Sequence, residues 1–424
     1  MLKKSRSVVV IGLVLAAVLG AEAAFAGSPI GSNFEVMDDP SLEEMAPAVA
    51  YNPERQEYLV VWYNDRPGND DIRAWRFNRQ GQPLGGPFYV AAGPGASRRN
   101  PAVTYALGEN QYLVVWQNDD PSYGFGIRGQ RLNGTGGKMG GEIMIRHGAA
   151  SLYTPGVPKV EYALAAGKYL VVWHEAWVPS HTTDVKGQVI KLDGQLDGSD
   201  FVIDADPGSS RRRKPDLAYN RARNEFLVVW EQDAAGSDED IYGKRVKMAG
   251  GAGPLGSPIE IVKDAKEQWD PAVAALPQPA GMGQYMVVWR HRYSAVDSDI
   301  MGATIKGDGT NEGVFIVAWE PENEISPAIA SSEASGNYLV TWTHEHTALN
   351  IMETIQAQEV SMTRDLVGTA RLCGGLHAGS SVVAGGAMGD FMITFDDTMF
   401  TSSKGVYGQL WGTRAYIPIV LKNR

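Results

Sequence analysis

A nine-residue stretch, "EYLVVWYND" at residues 57–65, returns along the chain with small changes. Later copies read "QYLVVWQND", "KYLVVWHEA", "EFLVVWEQD", "QYMVVWRHR", "NYLVTWTHE" and "DFMITFDDT". Their anchors are Trp62, Trp116, Trp173, Trp230, Trp289, Trp342 and Phe395, and neighbouring anchors stand 53 to 59 residues apart. A unit of this size cannot bury both of its faces alone. It must stack on copies of itself, so the period governs the fold more than total length does.

Around each anchor the unit has the same parts. A proline precedes the anchor by fifteen residues at Pro47, Pro101, Pro158, Pro215 and Pro327, and Pro271 stands somewhat earlier in the fifth copy. An I-x-G segment such as "IRGQRL" or "VYGQLW" follows, and then a short F-x-V segment such as "FYV" or "FVI". The first unit therefore reads as four strands, a to d: "PAVAY", "YLVVW", "IRAWRF" and "FYV". No segment has a helical period. Gly, Asn, Asp and Pro between the segments supply tight reversals. Four short strands per unit, seven times over, predict an all-β, seven-bladed β-propeller of four-stranded blades. The first F-x-V segment, "NFEV" at 33–36, precedes the first full unit, and none follows the seventh. The N-terminal strand is therefore expected to complete the last blade, which removes two open sheet edges.

This pattern resembles the seven-bladed propellers common among exported bacterial proteins of unassigned function, over nearly all of residues 33 to 412. The strand order is similar to that of WD-repeat propellers, without their G-H and W-D dipeptides. The Asp-box pattern of sialidases and the paired glycines of kelch repeats are missing too. The resemblance implies architecture and little about activity.

The ends carry their own signals. Lys3, Lys4 and Arg6 precede the apolar run "SVVVIGLVLAAVLG", and Ala24-Phe25-Ala26 has the form of a cleavage site. Residues 1–26 are thus read as a secretory signal peptide, 27–414 as the propeller and 415–424 as a short hydrophobic, basic tail. The mature chain is expected to be secreted or attached to the cell surface, with no transmembrane segment. One cysteine, Cys373, allows no internal disulfide. The formal net charge of −11 argues against general nucleic-acid binding. A monomer is expected.

Chemistry is sought where loops from many blades meet, at the end of the strands carrying the b–c and d–a loops. All seven histidines sort to that end by sequence. The candidate ligand-binding residues are His174, Glu175, Trp177, His181, His291, His344 and His346. Arg98, Arg99, Arg211, Arg212 and Arg213 join them, either as an anion-binding patch or as inter-blade ion pairs. His344 and His346 are the candidate metal ligands for a divalent ion, because alternate residues of a strand point the same way. The anchors, Trp62 to Trp342 and Phe395, are assigned to the core.

Three functions fit these features. The leading one is an exported, non-enzymatic binding propeller whose partner is a glycan or a surface protein. A carbohydrate-active or metal-dependent hydrolase or lyase using the histidine-bearing face is the alternative. A structural part of a surface layer is the third. The sequence reading leans away from an enzyme, since it shows no nucleophile elbow and no zinc-protease motif.

Overall fold

The computed structural model describes residues 28–39, 41–66, 69–120, 124–147, 153–177, 182–205, 210–233, 238–276, 283–346, 352–372, 381–385, 390–397 and 405–412. The signal peptide and tail read from the sequence lie outside them. The chain opens with β1 (Ser28–Met37). The first complete sheet follows, β2 (Glu43–Asn52), β3 (Glu57–Asp65), β4 (Asp71–Asn78) and β5 (Pro83–Ala91), paired in that order. The second is β6 (Ser97–Ala106), β7 (Gln111–Asp120), β8 (Gly124–Asn133) and β9 (Lys138–His147).

In the third unit β10 (Tyr153–Pro155) and β11 (Lys159–Ala163) share the inner edge of β12 (Lys168–Trp177), followed by β13 (Thr182–Lys191) and β14 (Phe201–Asp204). A parallel bridge, Thr183 to Arg211, links it to β15 (Arg211–Asn220), β16 (Glu225–Asp233), β17 (Asp240–Lys247) and β18 (Gly253–Val262). The fifth unit is β19 (Glu267–Leu276), β20 (Gln284–Ser294), β21 (Asp297–Lys306) and β22 (Asn311–Ala318). A similar bridge, Ser298 to Asn323, joins it to β23 (Asn323–Ser332), β24 (Asn337–His346), β25 (Met352–Ser361) and β26 (Leu366–Leu372). The last sheet is β27 (Ser381–Gly385), β28 (Phe391–Asp397), β29 (Gly405–Gly412) and then β1. The expected pairing of the N-terminal strand is present: Ser28 lies opposite Gly412 and Phe34 opposite Gly408. The architecture is all-β and of the propeller type.

The central strands explain the stacking. Tyr58, Leu59, Val60, Val61 and Trp62 are all sealed from solvent. Leu59 and Val61 pack with Tyr112, Val114 and Trp116 of the second sheet. Tyr58, Val60 and Trp62 pack with Met392, Val406 and Leu410 of the last. Successive side chains of a strand point to opposite faces, so a strand apolar at every position serves two interfaces. Every anchor tryptophan fills the gap toward the preceding sheet, and Phe395 does the same against Leu339 and Ile355.

Two backbone features recur. The a–b turn closes on a left-handed residue six places before the anchor tryptophan: Gln56, Asn110, Gly167, Asn224, Gly283 and Gly336, with φ between 49° and 68°. The second feature is a bulge in strand a. The residue before the proline is left-handed at Ala46, Asn100, Lys214, Asp270 and Ser326, with φ between 48° and 55°. The pairing register shifts at the same place in each of these five strands. A non-glycine residue rarely takes this conformation, and a following proline disfavours the helical alternative. The bulge turns the strand end and re-aims its side chains. Strands are accordingly longer than the short segments read from sequence, and continue past the bulge.

Candidate functional site

That extension moves most of the candidate residues out of loops. "SRRN" lies within β6 and "SRRRK" largely within β15, while "HEA" and "HEH" continue β12 and β24. Three residues before the proline of each of the five bulged strands stand Glu44, Arg98, Arg212, Gln268 and Glu324, all buried. Opposite them, two residues after each anchor, are Asn64, Asn118, Gln232, His291 and His344. A polar layer thus lies beneath this end of the sheets. Of these pairs His344 and Glu324 are hydrogen-bonded to each other at 2.9 Å, whereas Arg98, Arg212 and Gln268 turn to other partners.

The five arginines show the partners directly. Arg98 donates to the carbonyls of Gly93 at 3.1 Å and Ala96 at 3.2 Å. Arg99 meets Asp70 and Asp65. Arg211 donates to Asp233 at 2.7 Å, and Arg212 donates to Asp204 at 2.6 Å from a buried position. Arg213 donates to Glu239 at 2.8 Å and lies 3.4 Å from Glu231. Their charges are spent on the protein's own carboxylates and carbonyls. The anion-binding patch is therefore corrected to a set of ion pairs and carbonyl clamps, the other reading of the same residues.

The described histidines lie on different strands, His147 on β9, His174 on β12, His291 on β20 and His344 on β24. His291 is buried in β20, 4.7 Å from the Tyr293 ring between centroids. His147 is exposed at the end of β9. His181 and His377 lie outside the described residues, as do the side chains of Trp177 and His346, although both backbones continue their strands. Glu175 is buried, held by Arg146 at 2.6 Å and Lys186 at 2.7 Å. His344 is buried with its ring nitrogens facing carboxylates, Nδ1 2.9 Å from Glu324 and Nε2 2.9 Å from Glu322. Burial alone would favour its neutral form, but these bonds outweigh that and raise its pKa. Its companions are Glu322 of the β22–β23 connection and Glu324 of β23, whereas sequence spacing pointed to His346.

A denser acid–base group lies between the fourth and fifth units. The Lys214 ammonium touches Asp270 and lies 3.5 Å from Glu231. Glu231 accepts the Asp270 backbone N–H at 3.1 Å. Both Lys214 and Asp270 are left-handed bulge residues, so the same backbone device carries both side chains to this end. Glu231 is nearly sealed, with 2% of its side chain exposed, while Asp270 keeps 25%. Burial raises the pKa of Glu231, and the Lys214 charge opposes that rise.

Trp269 adjoins Asp270 and lies under two guanidiniums, Arg290 at 5.0 Å and Arg292 at 5.3 Å from its ring centre. On the other side stands His174. Its Nδ1 is shut off from solvent and has no hydrogen-bond partner. Burial, helped by the charges of Arg213 and Lys214, pushes its pKa down to about 4, which keeps it neutral at neutral pH. The sequence pattern marks His174 and the basic run from Arg211 to Lys214, but does not join Lys214 to Glu231, Asp270 and Arg290. The signal was present in the shared spacing: Lys214 and Asp270 each precede their proline, and Glu231 and Arg290 each follow their tryptophan. Such a set brings two carboxyl groups and one ammonium together beside an aromatic plane, groups that can hold a polar ligand and exchange protons.

Comparison with known proteins supports the fold. No family model matches the chain, and no curated protein does. A protein of unknown function from Dyadobacter fermentans has a similar structure, with a TM-score of 0.56, 10% identity, and coverage of 92% of this chain and 100% of that one. An alpha-L-arabinanase from Penicillium chrysogenum, solved with arabinobiose, gives a TM-score of 0.50 at 13% identity. That match covers 74% of this chain and 94% of the arabinanase. A glycan-cleaving enzyme is therefore built on this fold, and the expectation that leaned away from an enzyme is corrected.

Proposed function

We propose that the seven four-stranded units are the blades of one closed ring, and that the chain is a carbohydrate-active hydrolase. Its site is the Lys214–Glu231–Asp270 group beside Trp269. The observation that carries this reading is the convergence of two carboxyl groups on one ammonium next to an aromatic plane. Glycoside cleavage takes two carboxyl groups, one to protonate the leaving oxygen and one to assist attack at the sugar carbon. Glu231, whose burial holds its proton to higher pH, suits the first role. Asp270, the more exposed of the two, suits the second. Lys214 is half exposed and covers Glu231, so a sugar hydroxyl can take its place there. The Trp269 ring offers an apolar face to a pyranose or furanose.

The likeness to the arabinanase supports this reading, and export, proposed from the sequence of residues 1–26, would set the enzyme where polysaccharide is met. The partner is then a glycan. Release of reducing sugar from a panel of neutral and acidic polysaccharides, arabinan among them, tests the proposal. Turnover of at least one substrate is expected, with a loss of 100-fold or more in Asp270→Asn at unchanged melting temperature. No release from any substrate, or full activity in that variant, overturns it.

A further inference from the structure

A second group, in the sixth unit and separate from the carboxylate pair, is unused by that function. Glu320, Glu324 and His344 each offer one ligand atom, and these atoms lie within 4.8 Å of one another. They come from three neighbouring elements: Glu320 sits in the connection after β22, Glu324 in β23 and His344 opposite it in β24. Glu324 is sealed from solvent, and its Oε2 is buried with no hydrogen-bond partner. A carboxylate oxygen left bare in the interior is unfavourable unless a proton or a cation meets it. Neighbouring Asp299 is also buried with an unpartnered oxygen, Oδ1, and Glu324 is the charge it feels most.

The orientation of the imidazole is the second clue. Nε2 lies 2.9 Å from Glu322, and Nδ1 faces Glu324 at 2.9 Å and Glu320 at 3.7 Å. One nitrogen is thus held by an outer carboxylate while the other looks into the carboxylate pair. Metal-bound histidines are oriented in this way, with the far N–H donated to a carboxylate that fixes the tautomer. The geometry points to a divalent-cation site formed by Nδ1 of His344 with the carboxylates of Glu320 and Glu324, and Glu322 as the positioning residue. A nitrogen and two carboxylates suit zinc or manganese better than calcium, which takes six or more oxygens. On binding, the cation replaces the proton on Nδ1, which leaves to solvent. Glu320 is half exposed, so the ion has a route in, and its side chain closes the site. The ion would tie the β22–β23 connection to the end of β24.

The experiment uses the full mature chain, stripped with chelator and titrated separately with zinc and manganese. Bound metal is counted by elemental analysis and melting temperature is followed alongside. About one equivalent of one of these ions and a rise in melting temperature are expected. Glu320→Gln, at an exposed position that leaves the fold intact, should weaken binding at least 10-fold and abolish the rise. Glu322→Gln should weaken it 10- to 100-fold. Less than a tenth of an equivalent bound, or unchanged affinity in Glu320→Gln, overturns the site. Neither readout depends on glycan hydrolysis.

Discussion

The carboxylate of Glu231 accepts the backbone N–H of Asp270 at 3.1 Å, across the boundary between two sheets. Asp270 is a left-handed residue before a proline, and Glu231 follows an anchor tryptophan. The last and first units repeat the relationship: Asp396, just after the anchor Phe395, accepts the N–H of the bulge residue Ala46 at 3.4 Å. An acidic residue after the anchor therefore fastens the bulge of the next sheet. Glu231→Ala should remove this acceptor and leave the Asp270 amide and the Lys214 ammonium short of a partner. A loss of about 1–3 kcal/mol is expected in urea denaturation. No loss would show that the bulge holds itself.

Trp173 is fully buried and packs on Leu113, Val115 and Ile127 of the preceding sheet. Truncation to Ala should cost about 3–5 kcal/mol, because stacked sheets cannot collapse into the gap. Equilibrium unfolding measures it, and a cost under about 1 kcal/mol would contradict the placement.

Gly156 lies against His174. A Cβ there would stand 2.0 Å from the imidazole Cε1, and its own N–H already donates to the His174 carbonyl at 2.7 Å. Gly156→Ala should displace the ring and destabilise the fold by about 1–3 kcal/mol. The imidazole, once displaced toward solvent, should titrate nearer its ordinary value than the present value of about 4. NMR titration of the ring protons reads that change, and an unshifted titration would disprove the contact.

Glu44 supplies a pH test. Burial raises its carboxyl to about 7, well above the usual carboxylate range. Between the unfolded value near 4.5 and that folded value, the folded chain keeps a proton the unfolded chain has lost. Its contribution is thus present below the window and disappears as pH rises through it. Glu44→Gln should gain on the parent by about 1–3 kcal/mol at pH 8 and lose that advantage near pH 4. His174 acts with the opposite sign: folded, it resists the proton that the unfolded chain takes up below about 6.5, so stability falls from there toward pH 4. Urea denaturation of the parent and of Glu44→Gln across pH 4 to 8 separates the two, since the variant keeps the His174 effect, and parallel curves for parent and variant would rule out the Glu44 effect.

The sequence determined the repeat, its four strands, the apolar central strand and the return of the first strand to the last sheet. Each follows from local chemistry: side chains alternate along a strand, so "YLVVW" can only be buried on two faces, and an unpaired segment at one end needs an edge at the other. The site was less legible. "SRRRK" and "HEH" looked like loop residues because charge usually marks solvent. Only the tertiary structure shows the bulges at Lys214 and Asp270 that carry the strands onward, and the carboxylates, from the same unit or the one before it, that neutralise the arginines. Several of those pairings join residues from different repeats, such as Arg212 with Asp204 and Lys214 with Asp270. Spacing within one repeat cannot reveal them, because they are decided by how one sheet stacks on the next.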